Sequence, residues 1–534
     1  MQNHNKLIIL IPILSAILMV LGISTFAGAA NQSPRSTDDP RTQLGDEIPN
    51  LALPLVNKNY CEQEPVESPF SIEIAALHQV TVPGFTGQVM SEAQIYEWYE
   101  QAFPSLVSAL AESGAGYTRV FIRWFDIEPN EPVGGEPVFD WQWYDDRLIQ
   151  IAQAGIKIIA TIAAAPAWAG DGAVCPPIAD AHLTDYQNFL AALVNRYSQP
   201  PYNIKIWEIF NEADNTTSQR AESHSCFGFY GPVYAEVLAR SYTIIKFVDP
   251  GATVLMSGLA YEWWTEPPYD GPFYRYFADD VMSAGGASNF DALNFHYFPD
   301  YRLEWERWNP PANPPTCGLV EDGVGQPYDG SGIDVIAKKN HFTNRIGACF
   351  SVNKPVWLTE TAEHGVVTDT ASLKNQAYYV IKGYARGLAA GIENTTWYAL
   401  ATPNDTFDQG LLFSDLTPKP AFTAYQTLAA QLTNYRYDRA LSVPNGEAYA
   451  FRNNCLGEKI VAWGNNVPLT VSPATALEVT DYQGNVSAIQ DGGAGDIDGT
   501  LNGSIQVLLA LDPMGSPVVP DPVPIPVFIR VTAK

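Results

Sequence analysis

The sequence predicts an α/β fold: a (β/α)8 TIM barrel followed by a small C-terminal antiparallel β-sandwich. Three observations carry this expectation. Between about residues 70 and 432, eight short β-branched or apolar runs alternate with amphipathic helical stretches, as a closed parallel barrel requires. No Gly-rich phosphate loop follows any of those runs, which disfavours an open doubly wound sheet with the same alternation. After about residue 435 helical periodicity stops, and strand-like runs are separated by Gly, Asn and Pro turns.

Taken in order, residues 1–30 read as a signal peptide. Lys6 precedes an almost unbroken apolar run from Leu7 to Ile23, and the small residues Ala27-Gly28-Ala29-Ala30 suit signal-peptidase cleavage. The run is long enough to serve instead as an uncleaved anchor. Either way the body of the protein is expected outside the cell, secreted or extracellular. Residues 31–57 are polar, Pro-bearing and aperiodic, and read as a linker. The barrel is placed at 58–434, with strands at 72–77, 117–123, 156–162, 204–210, 253–257, 292–296, 355–359 and 394–400. Helical patterns between them include 141–154, 185–197, 233–247, 373–390 and 421–432. The β-sandwich is placed at 435–534, with strands at 448–451, 459–463, 469–471, 477–480, 504–509 and 527–531. Its expected role is to brace the barrel.

Composition narrows the partners. The 534 residues carry 30 basic and 58 acidic side chains, a formal net charge of −28, which repels nucleic acid and anionic lipid headgroups. No membrane partner is expected beyond the possible N-terminal anchor. Trp, Tyr and Phe make up 12% of the chain. Most must be core, but aromatic faces also match the flat C–H faces of sugar rings. The six cysteines, an even number in an exported chain, permit disulfides. Cys175–Cys226 and Cys317–Cys349 are the expected pairs, each lying between neighbouring elements. No C-x-x-C and no His pair at ligand spacing occurs, so neither a metal nor a cofactor is expected.

Barrel active sites lie at the C-terminal ends of the strands. Strand four reads Ile206-Trp207-Glu208-Ile209-Phe210-Asn211-Glu212, which puts Asn211 and Glu212 on the rim. The dipeptide alone is weak, since Asn130-Glu131 repeats it in a loop; position is what raises the second copy. Strand seven reads Pro355-Val356-Trp357-Leu358-Thr359-Glu360 and ends in a carboxylate at the equivalent height. Glycosidic cleavage needs two carboxyl groups flanking one bond, and the ends of strands four and seven face each other across the barrel mouth. Glu363 is the rival to Glu360, but it lies past the strand end. Glu208, inside strand four, is expected to be a buried structural acid paired with a cation or Tyr.

These strand-four and strand-seven motifs resemble those of the clan A glycoside hydrolases, with family 39 and its relatives closest in appearance, over roughly residues 70–430. The resemblance implies Glu212 as acid/base and Glu360 as nucleophile, with retention of anomeric configuration. It further implies Arg123, at the end of strand two, as the cation supporting the nucleophile, and Asn211 as donor to the sugar 2-hydroxyl. His296 and Tyr297 end strand six where relatives orient the carboxylates and the sugar, but their adjacency leaves open which of the two faces the cleft. Trp397, in strand eight, resembles the Trp flooring the sugar site, and Trp168, Trp263 and Trp264 are candidate extensions of the cleft.

The expected partner is therefore a carbohydrate, plant or microbial, cleaved at an O-glycosidic bond through a covalent glycosyl-enzyme. Three alternatives stand beside this reading: a non-catalytic carbohydrate-binding barrel, a transglycosidase using the same residues, and a metal-dependent barrel hydrolase, the last weakened by seven His in the whole chain.

Overall fold

The computed structural model describes residues 68–75, 90–170, 175, 177–217, 226–262, 265, 271–299, 334–403 and 409–533. The expected signal peptide and linker, Trp263, Trp264 and Cys317 lie outside the described residues.

Eight strands, β1 Phe70–Glu73, β2 Tyr117–Arg123, β3 Lys157–Ala163, β4 Ile206–Ile209, β5 Thr253–Leu255, β6 Leu293–Tyr297, β7 Val356–Thr361 and β8 Ile392–Trp397, form one parallel sheet ordered β5-β4-β3-β2-β1-β8-β7-β6. Parallel bridges Leu255↔Ala292 and Leu259↔Phe295 join the two ends and close the ring. Around it lie α1 Glu92–Ser113, α2 Trp124–Ile127, α3 Gln142–Gln153, α4 Leu183–Tyr197, α5 Gly231–Val248, α6 Phe277–Ser283, α7 Asp334–Phe350, α8 Thr370–Ala389 and α9 Pro420–Leu432.

Alternation along each strand sorts the side chains into two sets. In β2, Ile122 packs outward in the main core, while Tyr117 joins Ile159, Ile206, Leu255, Ala292 and Trp357 in an apolar plug at the bottom of the barrel. Moving up the lumen, the lining turns polar: Ser71, Arg119, Thr161, Glu208, Asn294 and Thr359 are all fully buried. A polar lumen is stable only when its hydrogen bonds are satisfied, and here they converge on Arg119 and Glu208.

The expected sandwich strands appear within a six-stranded sheet ordered β14-β13-β18-β11-β10-β9 and a separate pair β12-β15. These are β9 Arg436–Leu441, β10 Gly446–Asn453, β11 Gly457–Gly464, β12 Val467–Val471, β13 Ala476–Thr480, β14 Val486–Gln490, β15 Ile505–Leu509 and β18 Val527–Ala533, with the two-residue β16 Leu511–Asp512 and β17 Val523–Pro524 between the last two. Strands β9 and β14 were not expected. Their side chains are mostly exposed, so they carry little of the alternation that betrays a half-buried strand. The sandwich is tied to the barrel through α8: Arg386 grips Glu447 at 2.6 and 2.9 Å, and Tyr378 donates to Asp512 at 2.8 Å. Cys175 and Cys226 form the expected disulfide; Cys349 and Cys455 are each disulfide-bonded, to partners outside the described residues.

Candidate active site

Strand β4 stops at Ile209, and the chain beyond it bends sharply. Phe210 and Glu212 both hold positive φ, +62° and +46°, a conformation costly for side chains of their size and found where the surroundings over-determine it. The surroundings do so here. The amide of Phe210 donates to the carbonyl of Ile162 at 2.8 Å, and that of Glu212 to Gly258 at 2.9 Å. The buried Asp214 then accepts from the amides of Ala260 and Tyr261 at 3.2 and 2.9 Å, locking this turn to the segment after β5. Burial pushes the Asp214 carboxyl up to about 7.

Strict alternation in β7 would put Thr359 in the lumen and Glu360 outside. A bulge prevents that. On one side β7 pairs Leu358 with Phe295 and then skips to Glu360 against His296, and on the other its pairing with β8 also shifts between Leu358 and Thr361. The extra residue turns both Thr359 and Glu360 inward, as bulges beside functional sites commonly do.

Ligand-type atoms of Glu212, His296 and Glu360 lie within 4.8 Å of one another, and all three side chains are buried. Nδ1 of His296 sits 3.2 Å from Glu212 Oε1 and 3.4 Å from Glu360 Oε2, while Nε2 is 3.2 Å from Thr359 Oγ1. Gly258 makes the room: a Cβ built there would lie 2.2 Å from Nε2 of His296. This trio is the set among the described residues whose donors could converge on a cation. However, Arg119 already supplies a fixed positive charge to Glu360, so the arrangement is better suited to handling protons.

Arg119 organises the whole floor. Its Nε donates to Glu208 at 2.7 Å and Thr161 at 3.0 Å, Nη2 donates to Asn211 at 2.6 Å, and Nη1 donates to both Glu73 at 2.9 Å and Glu360. Glu208 also accepts from Thr161, Gly258 N, Asn294 and Thr359. It is the buried structural acid expected. Burial disfavours its charge, but the guanidinium and these donors more than compensate and hold the carboxyl below the usual range. For Glu360 the balance reverses: burial pushes it up to about 7, against the opposing pull of His296 and Arg119, with Glu73 and Glu212 adding to the rise.

Four of the expected positions meet here: Glu212, Glu360, Asn211 and His296. Asn211 accepts from Arg119 through Oδ1, which leaves its NH2 as the available donor. Three expected positions do not. Arg123 pairs with Asp126 at 2.8 Å and lies against the rings of Tyr96 and Phe125, and the cation on Glu360 is Arg119 instead. Both arginines lie on the lumen side of β2, but Arg119 is a full four residues lower. Tyr297 alternates outward, its ring 5.9 Å from Lys338 Nζ on α7. Trp397 is wholly buried against Tyr379 of α8, with its indole N–H on the Gln409 carbonyl at 2.8 Å, so neither ring face is open to a sugar. Its neighbour Tyr398 packs against Phe298 beyond β6. Trp168 donates to the Glu128 carbonyl at 3.1 Å and packs on Trp124. Glu363 accepts from the amide of His364 beyond the strand.

Sequence reasoning missed Arg119, Glu73, Thr359 and Gly258. Arg119 was visible as the inward partner of Tyr117 and Phe121 in β2; the others carried no signal without the register of their neighbours.

A closed parallel barrel with carboxylates at the ends of β4 and β7, followed by a β-sandwich, has the fold of the clan A glycoside hydrolases. Solved structures bear this out. The chain is similar to a family 39 glycoside hydrolase from the gut symbiont Bacteroides cellulosilyticus WH2, with TM-score 0.59 and 18% identity over 88% of this chain and 82% of that one. It is similar also to a monomeric β-xylosidase from Caulobacter crescentus CB15, with TM-score 0.52 and 16% identity over 87% and 96%. A GH30 endoxylanase from Clostridium papyrosolvens C71 aligns with TM-score 0.50 and 12% identity over 88% and 97%. No family model matches the chain, and no curated protein does.

Proposed function

We propose that the protein is a retaining glycoside hydrolase acting on plant or microbial oligo- or polysaccharides, with Glu360 as nucleophile and Glu212 as acid/base. The observation that carries this reading is the approach of the two carboxyl groups, whose oxygens lie within 4.8 Å. Retaining enzymes hold theirs about 5–5.5 Å apart, whereas inverting enzymes need about 6.5–9.5 Å to admit a water.

Glu360, held by Arg119 and His296, attacks the anomeric carbon while Glu212 transfers its proton to the departing glycosidic oxygen. The C–O bond to the leaving group breaks as the ester bond to Glu360 forms. Ester formation removes the negative charge that kept the proton on Glu212, so Glu212 can then take a proton from water. That water attacks the anomeric carbon and frees Glu360. The NH2 of Asn211 is placed to donate to the sugar 2-hydroxyl, an interaction that strengthens in the transition state.

Export as a secreted protein is part of the same proposal. The apolar run 7–23 with its small-residue exit supports it, as does the Cys175–Cys226 disulfide.

The test is hydrolysis of a panel of aryl glycosides, xylosides included, with proton NMR of the first-formed anomer. Hydrolysis with retention is expected, abolished in Glu360→Gln and strongly slowed in Glu212→Gln on glycosides with poor leaving groups. Inversion would overturn the mechanism, and absence of hydrolysis across the panel would favour a binding protein.

A further inference from the structure

Besides the two carboxylates that double displacement uses and the structural Glu208, the lumen holds a fourth. Glu73, at the end of β1, is 3% exposed, and among the described residues its carboxyl accepts one hydrogen bond, from Nη1 of Arg119 to Oε2 at 2.9 Å. Nη1 is the same nitrogen that donates to Glu360. The guanidinium's single charge is already claimed on its other edge, where Nε faces Glu208, an acid that four further donors keep ionised. Glu73 and Glu360 therefore each take one N–H of the same nitrogen, on a cation whose single charge Glu208 already matches. Two nearly dry carboxylates in that position cannot both ionise readily.

We propose that Glu73 is a positioning residue that shares a single proton with Glu360 across Nη1 of Arg119, and so sets the pH at which the nucleophile becomes charged. The proton resides on one carboxyl or the other, and Glu360 is competent only in the form with Glu73 neutral or with both ionised. Every charged neighbour fits this balance. Arg119 faces Glu73 from β2, Glu208 and Glu212 from β4 and its turn, and Glu360 from β7, with His296 behind Glu360 on β6; Tyr99 on α1 also feels the Glu73 charge. The adjoining β8 pairs with β1 through Thr395, Thr396 and Trp397, which bring no charge. Burial accordingly pushes both carboxyls up to about 7.

The inference rests on Glu360 being the nucleophile, and its test separates the two claims. Glu73→Gln mimics the neutral acid permanently. In kcat/KM against pH, and in the rate of inactivation by a 2-deoxy-2-fluoro glycoside, its acidic limb should move down by about one pH unit or more, because like charges sharing one nitrogen perturb each other on that scale. Glu73→Asp, which still titrates, should keep its limb above that of the Gln variant. A limb that stays put or moves up in Glu73→Gln overturns the proposal, as does the same limb in both variants. A uniform loss at every pH would instead make Glu73 a sugar-binding acceptor, and is equally fatal to it. If the wild-type protein hydrolyses no glycoside, it is the catalytic reading that falls.

Discussion

Replacing Arg119 with Lys is the sharpest test of how this site is held together. The substitution keeps the charge but exchanges a rigid fork of donors for one ammonium on a flexible stem. Three nitrogens of Arg119 serve five acceptors on four strands or their ends: Glu73, Thr161, Glu208, Asn211 and Glu360. Glu208 on Nε and Glu360 on Nη1 lie on different sides of the guanidinium, so an ammonium reaching one leaves the other. At least two charge-assisted hydrogen bonds are lost, each worth about 1.5–3 kcal/mol, which gives about 3–6 kcal/mol. If about 3 kcal/mol of this falls on the ionised Glu360 in the transition state, kcat/KM drops by about two orders of magnitude at about 1.4 kcal/mol per decade. Steady-state kinetics on an aryl glycoside, with a thermal melt beside it, reads both effects. Arg123→Lys is the comparison, because its pair with Asp126 is partly exposed and such pairs contribute about 1 kcal/mol or less. Near wild-type turnover in Arg119→Lys, with collapse in Arg123→Lys, would refute the assignment.

Glu212→Ala should keep activity on substrates with good leaving groups, and azide should restore turnover with formation of a glycosyl azide; no azide product would remove Glu212 from the acid/base role. Gly258→Ala places a methyl 2.2 Å from His296 Nε2 and 2.7 Å from Thr359 Oγ1, so His296 must leave the carboxylates; overpacking of this kind costs about 1–3 kcal/mol, and kcat/KM should fall at least tenfold while the fold, followed by circular dichroism, persists. Stability should respond to pH in two directions. Glu73, Asp214 and Glu360 have folded values raised to about 7, so the native state binds more protons than the unfolded chain between about pH 4.5 and 7, and these groups favour folding less as pH rises through that window. Glu208, held low, stabilises above the ordinary carboxylate range and is lost in acid; thermal melts of Asp214→Asn against wild type should show a weaker decline from pH 5 to 8, and an unchanged slope would contradict the Asp214 assignment. Replacing both Cys175 and Cys226 with Ala opens a link of 51 residues, worth up to about 4 kcal/mol by chain entropy, and should lower the thermal midpoint measurably.

The barrel was legible because its signals are local. A strand such as 117–123, and a helix such as 185–197, each state their own periodicity without help from the rest of the chain. So does the end of β4, where an apolar run closes on Asn211 and Glu212. What local pattern cannot state is height in a tilted barrel. Alternation correctly turns Arg119 and Arg123 to the same side of β2, yet only the neighbouring strands decide which of them is level with Glu360, and the register puts Arg119 beside Glu73 on β1. Nor does pattern announce a bulge: read by parity alone, Glu360 would point at the helices, and its place in the lumen exists because β7 carries one residue more than its partners. In β8 the extra residue comes early, where Glu393 is inserted opposite the Val356–Trp357 step, and beyond it Trp397 pairs beside Ile72 and sinks into the outer core. The same alternation thus misplaces a motif residue in one strand and places it in another, and the difference is where the inserted residue falls. Chemistry at this site therefore depends less on which residue types end the strands than on where the ring of hydrogen bonds slips. A deletion that removed the bulge while leaving Glu360 in the sequence should accordingly abolish turnover as completely as Glu360→Gln.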